Sequence, residues 1–134
     1  MLTTLKAWLR RLTPEVTAQM TTPQHQPMRF RLVLQELEIG CLTLLDGGDW
    51  QFEYSIAFKQ QQQIKPLVGF SDTTKVYRND QLWSFFISRI PSVDQPYVRE
   101  RAHNKCLDLN NTAEMLREFG QRTIANPFAL QQFA

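Results

Sequence analysis

The stretch Asp46-Gly47-Gly48-Asp49 separates two apolar runs, and no other feature of the chain constrains its fold as strongly. Asp-Gly and Gly-Gly accept the positive φ of tight hairpin turns. Before it stands "IGCLTLL". After it stands "WQFEYSIAF", in which Trp50, Phe52 and Tyr54 alternate onto one face of a strand. Two strands joined this closely are antiparallel neighbours. Further upstream, "MRFRLVL" places Phe30, Leu32 and Leu34 on one face and Arg29, Arg31 and Val33 on the other, the pattern of a half-buried strand. A turn around residues 35–38 leads back into the run before the glycines. The three strands form a meander.

Shorter elements follow. "IKPLVGF" suits a short strand that Pro66 confines to an edge, and "SDTTKVY" suits another extended piece. A helix is expected over 79–90, with Asn79 or Asp80 as its cap and Pro91 as its stop. A short helix is expected around 96–106. "NNTAEMLREFGQR" is the best-marked helix: Asn111 at the N-cap, Glu114 in the capping-box position, Met115, Leu116 and Phe119 inward, and Gly120 at the C-cap. "TIANPFAL" reads as an apolar extended tail that docks on the body. At the other end, Leu2, Leu5, Trp8, Leu9 and Leu12 recur at helical spacing beside Lys6, Arg10 and Arg11, and Thr13-Pro14 ends the pattern. A basic amphipathic helix of this length suits docking on the domain or on a partner better than lying on a membrane. Residues 13–27 are polar with three prolines and read as a linker. The expected organisation is residues 1–27 as helix and linker, and 28–134 as one domain.

At 134 residues, 43% hydrophobic and 21% charged, the chain has material for one core. The net charge of +2 does not by itself argue for nucleic acid. Its placement is uneven: Lys6, Arg10, Arg11, Arg29 and Arg31 face only Glu15 before residue 32, whereas residues 32–58 hold Glu36, Glu38, Asp46, Asp49 and Glu53 with no cation. "MLTTLKAWLRRL" lacks the apolar core of a signal peptide, and no stretch approaches membrane-span length. Cys41 and Cys106 are therefore expected as reduced thiols of a cytoplasmic protein. No phosphate-cradling, nucleophile-elbow or zinc-protease motif occurs. His103 and Cys106 have ligand-like spacing, but only His25 and Cys41 remain to complete a zinc site, so no metal, cofactor or catalytic residue is assigned.

The segment 79–92, "NDQLWSFFISRIPS", carries more apolar surface than one helix face needs. On a wheel, Leu82, Trp83, Phe85, Phe86, Ile87 and Ile90 span roughly 200°, against little more than 100° for a core-facing stripe. Trp83 and Ile87 lie at one edge of that arc. Either the helix is sandwiched between sheet and tail, which the spacing favours, or this edge is a contact patch.

The order "GCLTL…GGDWQFEYSIAF…IKPLVGF…VYRNDQLWSFFISRIPS…VRE" resembles the N-terminal domain of HipA-type toxin kinases. The correspondence runs through Gly40-Cys41-Leu42, Phe52-Glu53-Tyr54, Pro66-Leu67 and Phe85–Pro91, over roughly residues 30–101. The usual Pro-Glu-Gly after the helix is Pro91-Ser92-Val93 here, so contacts of those residues do not carry over. The kinase portion, with its phosphate loop and catalytic and metal-binding aspartates, has no counterpart in this chain.

The resemblance implies an α+β fold: a small antiparallel β-barrel or curved sheet capped by two or three helices, preceded by the N-terminal amphipathic helix. It further implies a non-enzymatic protein that binds and modulates, as an antitoxin would, a separately encoded HipA-like serine/threonine kinase lacking its own N-terminal domain. A helix-turn-helix DNA-binding antitoxin would be reached through the complex; neither a membrane nor a small-molecule substrate is implied. The expected partner-binding residues are Trp83, Phe86, Ile87 and Arg89, the last for charge-assisted bonds to a carboxylate or phosphate. The competing readings are an orphan adaptor module and a nucleic-acid-associated component using Arg10, Arg11, Arg29 and Arg31.

Overall fold

The structure is a computed structural model, which describes residues 20–133. The amphipathic pattern of residues 2–12 and the first part of the linker lie outside the described residues.

The expected meander is present. Strand β1 (Met28–Leu34) pairs antiparallel with β2 (Leu37–Leu44), and β2 with β3 (Trp50–Tyr54). Gln35 takes a positive φ of 56° in the two-residue turn between β1 and β2. The Asp46–Asp49 turn behaves as its glycines require: Gly47 and Gly48 have φ of 101° and 96°, and Leu45 N–H donates to Asp49 O at 2.8 Å. Phe30, Leu32, Leu42, Leu44, Trp50, Phe52 and Tyr54 are all buried on one face. In β2 the parity of the apolar residues changes after Ile39. A β-bulge absorbs the change: Leu32 faces Gly40 while Val33 faces Glu38, so both Ile39 and Leu42 reach the core.

Strand β3 is shorter than its alternation suggests. Ser55 turns the chain into helix α1 (Ile56–Lys59), its hydroxyl accepting from Phe58 N–H at 3.0 Å. The Phe58 ring then stacks on Tyr54, 4.6 Å between centroids. The "IKPLVGF" segment is not a strand. It crosses the core as a loop held by Tyr54, whose hydroxyl donates to Phe70 O at 2.6 Å and accepts from Leu67 N–H at 2.9 Å. β4 (Tyr77–Asn79) pairs with β3, and β5 (Ala129–Phe133), formed by the expected docking tail, pairs with β1.

The sheet order is β4-β3-β2-β1-β5, wholly antiparallel. It is an open sheet, not a barrel, because β4 and β5 stand at opposite edges without pairing. Closure needs strands long and staggered enough to meet. Here β3 stops at Ser55, and β4 pairs over only three residues. Four short helices are present among the described residues: α1, α2 (Ser84–Ile87), α3 (Pro96–Asn104) and α4 (Thr112–Phe119). The helix expected from residue 79 is thus one turn long. Asn79 belongs to β4, and Trp83 occupies the N-cap without a side-chain cap bond.

Helix α4 starts and ends as expected. The Asn111 side chain accepts from Glu114 N–H at 3.0 Å, and Gly120 is the C-cap. Met115 and Leu116 are buried, and Phe119 is half-buried. The end of the polar linker is tied to this helix. Thr21 N–H donates to Asn110 O at 2.7 Å, Thr112 N–H donates to Thr21 O at 3.0 Å, and Gln26 bonds the Glu114 carboxylate at 3.2 Å.

Candidate partner-binding site

The four residues expected at a partner surface divide between the inside and the outside. Phe86 is wholly buried. Its ring lies 5.6 Å from Phe52 and 6.0 Å from Phe70 between centroids, so it joins helix α2 to the sheet. Trp83 is half-buried and packs edge-on against Phe70 at 5.2 Å. Ile87, one residue beyond Phe86, is 40% exposed.

Arg89 is only 3% exposed, and its partners are internal. Its Nε donates to Gly120 O at 2.6 Å. Its Nη2 donates to Gln121 O at 3.0 Å and Phe128 O at 2.7 Å, and its Nη1 to Asn126 Oδ1 at 3.3 Å. A planar guanidinium suits this work, since its donors diverge in fixed directions. The cation sits just past the C-terminus of α4, where the helix dipole favours it. Burial, and secondarily Arg122 nearby, lowers its pKa to about 10. It remains charged at neutral pH. Neither Phe86 nor Arg89 offers surface to a partner in this fold. Arg89 instead locks the turn after α2 to the end of α4 and to the start of the β5 tail.

Ile87 opens onto a cleft of about 960 Å³. One wall is the pinned segment 20–24, a second is the Gly47–Asp49 turn, and the third is the chain from Asp80 to Asp94. Ile87, Ile90 and Val93 supply apolar surface; Asp49, Asp80 and Asp94 supply carboxylates, and none of the described lining residues is Lys, Arg or His. Asp49 is paired with Arg78 at 3.2 Å. The wall of residues 20–24 is fixed from both sides: Gly47 N–H donates to Gln24 O at 2.7 Å, and Trp50 Nε1 to Thr22 Oγ1 at 3.1 Å. Sequence reasoning missed this cleft because its walls come from three distant stretches, one of them read only as a linker.

Elsewhere, Arg29 and Arg31 lie on the outer sheet face, each with its guanidinium 4.5 Å from the Phe133 ring centroid. No group of three or more potential metal ligands occurs among the described residues. His25 meets Asp46 at 3.5 Å on the surface; Cys106 is exposed, Cys41 is half-buried, and both are free thiols. No helix of the described residues is long and apolar enough to cross a membrane. No protein-family model and no curated protein sequence matches this chain.

Proposed function

We propose that this protein acts by binding rather than by catalysis, as a subunit that binds and restrains a separately encoded HipA-like serine/threonine kinase. The observation that carries the reading is the convergence of the resembling segments on one core unit. Gly40 is required there: an added Cβ would stand 2.5 Å from Glu53 O and 2.7 Å from the Phe52 ring. Phe52 packs on Phe70 and Phe86, Tyr54 holds Leu67, and Phe86 carries Ile87 to the surface. Segments scattered over about fifty residues of sequence, from Gly40 to Ile87, thus form one interdependent arrangement, which supports a shared fold with the N-terminal domain of such kinases. The cleft beside Ile87 then gives a partner an apolar anchor ringed by carboxylates.

The test is co-purification with a HipA-like kinase that lacks its own N-terminal domain, and inhibition of that kinase's activity by the added protein. Ile87→Asp should abolish capture at a cost of no more than about 1 kcal/mol in stability, since Ile87 is 40% exposed. Trp83→Ala should weaken capture and also destabilise the fold by about 2 kcal/mol, because the half-buried Trp83 ring packs edge-on against Phe70. Undiminished capture by folded Ile87→Asp would place the contact elsewhere; failure of every such kinase to bind would leave the adaptor reading.

A further inference from the structure

We infer that the outer edge of β5 is a docking site for an acidic, extended segment of a protein partner, which adds to the sheet as a further strand. The edge is open. β5 ends the sheet and, among the described residues, pairs with β1 alone. Main-chain groups alternate in direction along an antiparallel strand. Leu130 N–H points away from β1 and donates to Gln121 O at 2.9 Å, so Gln132, two residues on, turns its N–H and C=O the same way. Among the described residues, no segment outside the sheet takes up those two groups. Open edges are normally guarded by brevity, charge or proline. The opposite edge is guarded in this way, since β4 is three residues long and carries Arg78. The five residues Ala129–Phe133 include no charge and no proline.

The charge beside the edge selects the occupant. A groove of about 400 Å³ separates β5 from the end of α4, with Arg117, Gln121 and Arg122 on one wall. None of its described lining residues is Asp or Glu, and neither arginine makes an ion pair among the described residues. Behind them the buried Arg89 donates to Gln121 O and otherwise only to neutral oxygens, so no carboxylate offsets its charge. On the outer sheet face, Arg29 and Arg31 hold their guanidinium groups over the Phe133 ring, with Glu38 3.9 Å from Arg31. Cations thus flank the edge on both faces. A strand bearing carboxylates meets complementary charge while its main chain pairs with Gln132 and the Leu130 carbonyl. A second copy of this chain fits poorly, because β5 paired with its own copy would bring another Arg117 and Arg122 to the same groove. The edge is distinct from the cleft beside Ile87, and the inference does not depend on the kinase reading.

The experiment uses the full chain and, as probe, a short fluorescent peptide alternating Glu with Thr, followed by polarisation at low salt. The peptide should bind at least about tenfold more tightly than its counterpart with Gln in place of Glu, and Arg117→Gln with Arg122→Gln should remove that preference. Amide shifts read by NMR should concentrate at Gln121, Arg122 and Gln131 to Phe133. Gln132→Pro deletes the outward donor and spares the ladder bonds to β1, so it should weaken binding at least about fivefold in a variant whose urea midpoint stays near that of wild type. A second measurement needs no substitution in the protein. The peptide is N-methylated at every second residue, in each of the two registers. One register should bind like the parent and the other at least about tenfold more weakly, since only one turns its N–H groups toward β5. Equal affinity of the two registers, or no preference for Glu over Gln, overturns the inference. So does tighter binding of oligo-dT than of the acidic peptide, which assigns the arginines to a phosphate backbone. A dimer in sedimentation that Gln132→Pro dissolves also overturns it, by assigning the edge to a second copy.

Discussion

Replacing Arg89 by Met tests whether the guanidinium holds the C-terminal third of the chain together. Methionine keeps an apolar stem of similar length and removes the donors. Hydrogen bonds from a charged group contribute about 1.5–3 kcal/mol each. Taking about 2 kcal/mol for each bond to Gly120, Gln121 and Phe128, and about 1 for the longer bond to Asn126, gives a gross term near 7 kcal/mol. Against it stands the burial of a cation without a carboxylate. The fall of its pKa to about 10 corresponds to roughly 3 kcal/mol against the charged form. The net is about 4 kcal/mol. Some returns in the variant, because Gln121 is exposed and its carbonyl still accepts from Leu130 N–H at 2.9 Å. The expected loss is therefore about 2–4 kcal/mol, or about 10 °C in the thermal transition of a domain this size. Arg89→Lys should fall between wild type and Arg89→Met, since one ammonium cannot reach acceptors spread around a planar fork. The assay is urea unfolding followed by circular dichroism. The sign of the pH dependence also follows. A cation whose folded pKa is depressed costs stability below the folded value and recovers it only as pH rises above about 10, so the Arg89 contribution should be flat from about pH 6 to 9. A loss below about 0.5 kcal/mol for both variants would refute the reasoning.

Gly40→Ala should cost about 2–3 kcal/mol and lower the urea midpoint, because the new methyl group meets the main chain of β3 as well as the Phe52 ring. Tyr54→Phe should cost about 1–3 kcal/mol near neutrality by stranding Leu67 N–H and Phe70 O. Burial raises the Tyr54 pKa above its ordinary value of 10.0. Its contribution is present below about pH 10 and lost as pH rises through the folded value. Urea unfolding from about pH 9 to 11.5 should therefore show a shallower alkaline loss of stability in Tyr54→Phe than in wild type.

The meander and its turn were legible because both signals are local. Alternation has period two, and the paired glycines mark where it reverses. Helix α4 was legible for the same reason, since Asn111 and Gly120 act within one turn of themselves. The choice between a barrel and an open curved sheet was not legible. Whether five strands close depends on where β3 stops and how far β4 pairs, and those are settled by Ser55 capping α1 and by the path of the loop through Leu67 and Phe70. Nothing in residues 50–58 announces the break, because "SIAF" continues an acceptable strand pattern. The role of Thr21 was equally hidden: its main-chain bonds to Asn110 and Thr112 bridge about ninety residues of sequence and involve no side-chain pattern.

The division of the segment 83–89 between inside and outside had a signal that spacing could have supplied. Residues three apart on a helix lie about 60° from each other, residues four apart about 40°, and residues two apart about 160°. Ile87 and Arg89 therefore point to nearly opposite sides, with Phe86 and Trp83 between them. A single partner surface using all four was already disfavoured by that angle. The fold settles which side is internal: Phe86 is needed against Phe52 and Phe70, so Arg89 follows it inward, where the last carbonyls of α4 await a donor. Trp83 stays half-buried because Phe70 meets its edge. Only Ile87 is left with no large internal task. A partner that recognises this segment must then take Ile87 from the cleft side, in reach of Asp80 and Asp94, and would draw its charge selectivity from those carboxylates rather than from Arg89.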